Sequence, residues 1–322
     1  MLDNILKTTM STPFNSEKII IHKINDAELS TFLVGFDIDD SGESKYRIKP
    51  LINKLSDVIY EFAFGFHDGE ETSNNEILGK LTEAAQSIYK IDAFQKVKDI
   101  YDNDGSITDD LNDKYLRRGE FGELILHLLL RDFHNTIPLL SKIYFKDSFG
   151  ATVHGFDAVH IEPNSKTLWL GESKLYKNGK TGIKALIQDI EEHFQSDYLN
   201  NEFLIVSKKL KHFDNIHEKD YWLDLMSKST KLVDQLDSIN IPLLCTFDSD
   251  LFTNHSDEND QTFINEYLAE MRELKKYFDD NNNHPLKTKL NIILVLLPVQ
   301  NKIELVKGLH NKLSLLQKLG EW

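Results

Sequence analysis

The sequence predicts an α/β fold in which helices flank a mixed central sheet, with an α+β extension ahead of it. Three observations carry that prediction. Two short apolar runs around Asp157 and Glu172 are joined by a turn-rich connector and read as a hairpin. Helical patterns at 117–130 and 181–194 bracket the hairpin. The run Ile292-Ile293-Leu294-Val295-Leu296-Leu297-Pro298-Val299 is rich in branched residues, as a parallel strand buried on both faces requires.

Taken in chain order, 19–24 and 33–38 read as short strands, and 48–64, 75–88 and 93–101 as helices. A polar break follows at Asp102-Asn103-Asp104-Gly105-Ser106 and Asp109-Asp110, which divides the chain into an acidic, mostly helical region 1–113 and a second region 114–322. The acids of 102–113 alternate like a calcium loop, but the twelfth position holds Asp113 rather than Glu, and a linker explains them better. Residues 117–130 form the next helix, and 139–145 supplies a first core strand. Residues 152–161 and 167–174 then form the hairpin, turned by Glu162-Pro163-Asn164-Ser165-Lys166. In 181–194, Ile183, Leu186, Ile187 and Ile190 share one buried helical face. Phe203-Leu204-Ile205-Val206-Ser207 reads as a strand, 219–236 as a helix, 241–247 as a strand, 258–280 as a long helix and 302–319 as a last one. Ile303, Val306, Leu309, Leu313 and Leu316 give that last helix an apolar face for packing on the sheet.

At 322 residues and 40% apolar content, the chain can bury a sizeable core. Its one cysteine, Cys245, excludes a disulfide framework and a thiolate zinc cluster, and reads as a buried small hydrophobe. No secretory pattern opens the sequence and no apolar run approaches the roughly 18 to 20 residues of a spanning helix, so a cytoplasmic protein with no membrane partner is expected. The net charge of −15 runs against nucleic-acid binding, which rests on Lys and Arg. Its distribution answers the objection: residues 1–113 carry 22 acids against 11 bases, whereas 114–322 carry 30 against 26.

The hairpin carries the chemistry. Residues two apart on a strand sit roughly 6 to 7 Å apart on one face, so Glu172 and Lys174 face the same way. Asp157 lies on the adjacent strand, which gathers two carboxylates and a lysine into a small volume. A strand-end ion pair would account for Glu172 and Lys174 alone; the addition of Asp157 points to a divalent-cation site. Hard carboxylate oxygens suit Mg²⁺, with Mn²⁺ as the alternative, and the lysine beside the ion can orient or deprotonate water or offset transition-state charge. His154 and His160 fall on the face opposite Asp157 and are expected to serve sheet packing rather than a metal. Lys177, Lys180 and Lys184 follow in a stretch free of acids and can touch a phosphate backbone, unless they form a solvated loop; Lys208, Lys209 and Lys211 add to the basic surface.

These residues resemble the PD-(D/E)xK nuclease superfamily, which has a restriction-endonuclease-like core. That core presents an Asp on one strand and Glu-x-Lys on the next, after a helix bearing a further acid. The resemblance implies that Asp157, Glu172, Lys174 and Glu123 are catalytic, that Asp157 and Glu172 bind the metal with Glu123 as the supporting helix acid, and that Glu120 is the runner-up for that helix position. It also brings Gln188 toward the site, although a solvated helix position explains that residue better. Phe156 stands where the superfamily's Pro would be.

A closer resemblance spans most of the chain: the acidic first third, Gly119-Glu120-Phe121-Gly122-Glu123, Glu172-Ser173-Lys174, and Leu297-Pro298-Val299 before a lysine-rich helix. Together these resemble the HamA family, the nuclease subunits of the Hachiman anti-phage defence system. What that implies is a DNA-cleaving effector controlled by HamB, a superfamily 2 helicase, with region 1–113 regulatory or partner-docking. The competing readings are a non-catalytic acidic protein that mimics DNA on a partner, and a nuclease acting on RNA.

Overall fold

The computed structural model describes residues 13–69, 76–88, 119–139, 155–211, 216 and 218–319. The expected helix at 93–101, the break and boundary at 102–113, positions 140–145 and His154 lie outside the described residues.

The described residues fold as a mixed α/β structure around a sheet to which they contribute seven strands. Its strands are β1 (Ile20–Asn25), β2 (Leu29–Val34), β5 (Ile137–Pro138), β6 (Ala158–Glu162), β7 (Thr167–Leu175), β8 (Ile239–Asp248) and β9 (Asn291–Val299). The spatial order is β1-β2-β9-β8-β7-β6-β5. The four inner strands, β2, β9, β8 and β7, run parallel, and the antiparallel pairs β1/β2, β7/β6 and β6/β5 close the two sides. β9 is buried from Ile292 to Val299, as its unbroken apolar run demands, and each such Val, Leu or Ile contributes about 1.5–3 kcal/mol by burial. Strands from both sides of residue 113 share this sheet, because β2 pairs with β9.

A second, two-stranded sheet pairs β3 (Phe36–Ile38) with β4 (Ser44–Tyr46). The single strand expected at 33–38 is thus split at Gly35. The Glu258 carboxylate approaches there to accept from Phe36 N–H at 2.9 Å, and a Cβ at Gly35 would collide with it.

The described helices are α1 (Ile48–Asp57), α2 (Ile59–Gly69), α3 (Ile77–Ile88), α4 (Gly119–Phe133), α5 (Gly179–His193), α6 (Ser196–Leu210), α7 (Lys219–Leu225), α8 (Leu232–Asp237), α9 (Leu251–Asn254), α10 (Gln261–Asn281) and α11 (Lys302–Lys318). Side-chain caps start three of them: Asn178 accepts from Thr181 N–H, Asp260 from Thr262 and Phe263, and Asn301 from Ile303 and Glu304. The helix expected over 219–236 is broken into α7 and α8, because Thr230 Oγ1 turns back to the Asp224 carbonyl at 2.7 Å.

The strand expected at Phe203-Leu204-Ile205-Val206-Ser207 is instead the middle of helix α6. Leu199, Phe203, Val206 and Leu210 are buried at helical spacing while Leu204 is 43% exposed, so the branched run satisfies one helix face rather than a sheet. The strand that follows β7 in the sheet is β8.

The faces of β7 are fixed by its neighbours. Gly171, Ser173 and Leu175 meet α4, through Leu126 and Gly122. Glu172 and Lys174 therefore project to the other face, where α5 packs with α10 behind it, Gly179 against Leu274. On the α4 side, α11 packs against α1 and α3: Thr82 Oγ1 donates to the Leu316 carbonyl at 3.1 Å and Gln317 Nε2 to that of Ala85 at 2.9 Å. Among the described residues, no helix is long and apolar enough to cross a membrane.

Candidate active site

The hairpin forms with Ala158 opposite Gly171, which sets Asp157, one residue before β6, across from Glu172. Asp157 Oδ2 accepts from Ser173 N–H at 2.9 Å and from Ser173 Oγ at 2.8 Å, so its carboxylate is locked against β7. Glu172 is 2% exposed, and its Oε1 lies 2.6 Å from His193 Nδ1. Lys174 Nζ pairs with Asp189 Oδ2 at 2.5 Å. Sequence reasoning thus placed Asp157, Glu172 and Lys174 together, and the structure brings them together.

Electrostatics mark the cluster. Burial pushes the Glu172 carboxyl well above the usual carboxylate range, and the charges of Asp157, Asp189 and Glu123 add to the rise while Lys174 opposes it. Burial pulls Lys174 down, but the charge and hydrogen bond of Asp189, with Asp157 and Glu172, more than reverse it, so its pKa is raised. Asp189 is raised by burial against the pull of Lys174, and His193 is lowered by burial.

Glu123 is buried on α4 and close enough for its charge to act on Glu172; Glu120, one turn earlier, is partly exposed. Lys177, Lys180, Lys184 and Gln188 are all exposed. Lys180 Nζ is paired with Glu273 at 2.5 Å. Lys177 and Lys180 line a cleft of about 570 Å³ at the carboxyl ends of β7 and β8, together with Asp248, Asp250, Glu270 and Glu273. This acid-rich lining meets a phosphate less favourably than the lysines alone would.

Four residues near the site were not singled out from the sequence: Asp189, His193, Tyr198 and Glu202. The signal that could have found the first pair is their i, i+4 spacing on α5, which sets both toward β7. Tyr198, in the first turn of α6, stacks on His193 with ring centres 4.5 Å apart. Its hydroxyl is buried and has no hydrogen-bond partner among the described residues, and its pKa is raised by burial and by Glu202, Glu172, Asp189 and Asp157. Burial lifts Glu202 to about 7.

His160 lies in the core, 3.2 Å from His127 Nδ1 and 2.8 Å from Thr136 Oγ1, which agrees with a packing role. Cys245 is buried, and burial raises its thiol to about 12.

Among the described residues, no three His, Cys, Asp or Glu side chains form a ready-made cage for an ion. The donor chemistry nonetheless fits a hard cation. Glu172 is buried among Asp157, Asp189 and Glu123, a like-charge crowding that a divalent ion would relieve, and Mg²⁺ needs only one or two carboxylates because it keeps water and takes substrate oxygens.

No curated protein matches the sequence. The family model of HamA matches residues 12–313, a span that holds the whole sheet, the hairpin and every residue of the candidate site. By that match over nearly its full length, the chain belongs to the HamA family, the family of a component of Hachiman defence.

Proposed function

We propose that this chain is a metal-dependent DNA endonuclease with a PD-(D/E)xK type of core, acting as the effector of its Hachiman system under the control of the helicase HamB. The observation that carries the reading is the convergence of Asp157, Glu172 and Lys174 on one hairpin, with Glu123 added from the helix behind it. Helicase control rests on family membership.

Asp157 and Glu172, supported by Glu123, would hold Mg²⁺ or Mn²⁺, which when bound supplies Lewis-acid polarisation of the phosphate and a more acidic water. Hydrolysis joins a water oxygen to phosphorus and breaks the bond to the leaving sugar oxygen, which takes up a proton. Asp157 keeps its orientation through Ser173 N–H and Oγ, so the site is preorganised on rigid strand backbone. Lys174 orients the water and offsets charge on the phosphoryl oxygens.

The test is cleavage of plasmid DNA by the wild type and by the Glu172→Ala, Lys174→Ala double variant, with Mg²⁺ or EDTA, alone and with the helicase. Metal-dependent nicking that the double variant loses is expected, and full activity in the variant refutes the assignment. Cleavage of RNA alone would move the substrate class. Glu123→Gln should lower the rate more than Glu120→Gln, and the reverse order would exchange their roles.

A further inference from the structure

A lysine beside a scissile phosphate can lend its charge there only if its long stem holds the charged end in place. We propose that Asp189 is a positioning residue that fixes the Lys174 side chain over the candidate site. The inference rests on the nuclease reading of the same hairpin and adds a residue to it.

The Lys174 and Asp189 side chains are 25% and 18% exposed, and their charged atoms lie 2.5 Å apart. A fully exposed pair exchanges partners with water and salt, whereas one drawn this far from solvent keeps its contact. Both ends are delivered by fixed backbone. Lys174 sits on β7 opposite Cys245 of β8, inside the parallel part of the sheet. Asp189 sits on α5, which is anchored by the buried Ile183, Leu186, Ile187 and Ile190.

A partner swap is blocked as well. Glu172, the other carboxylate on the face of Lys174, is engaged by His193 Nδ1, one helical turn beyond Asp189. Asp157 is engaged by Ser173 N–H and Oγ. Asp189 is thus the carboxylate in direct ion-pair contact with the lysine, and a four-carbon stem that would otherwise sample many rotamers is held in one place.

The experiment compares the wild type, Asp189→Asn and Glu172→Ala as full-length chains. Lysine ammonium groups are observed by ¹H–¹⁵N NMR, with the Lys174 signal assigned by its loss in Lys174→Arg. Plasmid cleavage with Mg²⁺ and the helicase is measured alongside. The expected result is a sharp Lys174 ammonium signal in the wild type that broadens away in Asp189→Asn. With it, kcat should fall about ten- to a hundredfold, as for loss of a hydrogen bond to a charged group, at an unchanged KM for DNA. Asp189→Ala serves in the same way should the Asn variant not fold.

A Lys174 signal indifferent to Asp189, or a wild-type kcat in Asp189→Asn while Glu172→Ala is dead, overturns the positioning role and leaves the nuclease reading standing. Absence of any metal-dependent cleavage by the wild type defeats the nuclease reading, and the NMR signal then decides by itself whether Asp189 holds the lysine.

Discussion

Replacing Glu61 with Gln should destabilise the protein by about 3 kcal/mol at pH 7, and by less as the pH falls. Glu61, on α2, is 15% exposed and takes Arg131 at both oxygens, Nε at 2.5 Å and Nη2 at 3.1 Å. His127 Nε2 lies 3.1 Å from the same carboxylate. Burial keeps His160 uncharged, and its two ring nitrogens are satisfied by Thr136 Oγ1 and His127 Nδ1, while His127 Nε2 donates to Glu61. Burial alone would raise Glu61, but His127 and Arg131 outweigh it and bring its pKa from 4.5 to about 2. A depression of this size is worth about 3 kcal/mol. It agrees with the roughly 3–5 kcal/mol lost when one partner of a buried ion pair is removed. The folded value lies below the unfolded one, so the stabilisation is complete above about pH 5, about half of it remains near pH 3, and it vanishes toward pH 2. Urea unfolding of the wild type and Glu61→Gln, followed by tryptophan fluorescence from pH 7 to pH 3, reads the difference directly. A gap under 1 kcal/mol at pH 7, or one that does not shrink with acid, would refute the reasoning.

Two further changes probe the packing around the candidate site. A Cβ at Gly182 would lie 2.5 Å from Cys245 Sγ, so Gly182→Ala should push α5 off β8 and lower the unfolding midpoint despite alanine's better helix propensity, a net loss of about 1 kcal/mol; Gly182→Ala combined with Cys245→Ala should recover it. Tyr198→Phe keeps the ring stacked on His193 and removes a buried hydroxyl that has no partner among the described residues, so thermal unfolding should show a gain of about 1 kcal/mol, and a loss of that size would reveal a partner for the hydroxyl.

The sequence by itself determined what depends on local spacing. Period-two alternation and the turn at 162–166 were enough to pair β6 with β7 and to set Asp157 beside Glu172 and Lys174. The unbroken apolar run of β9 and the apolar faces of α5 and α11 were legible for the same reason. A five-residue apolar run carries too little period to separate strand from helix, and Phe203 to Ser207 went the other way because the flanking Leu199 and Leu210 complete a helix face. Only the tertiary structure decided the rest. The pairing of β2 with β9 joins residues more than 260 apart, and no local pattern encodes it. It also means that removal of residues 1–113 takes two strands out of the main sheet. Asp189 and His193 were not singled out from the sequence. They became partners of Lys174 and Glu172 because packing turned that edge of α5 toward β7, and the direction in which a helix edge faces is set by what it packs against.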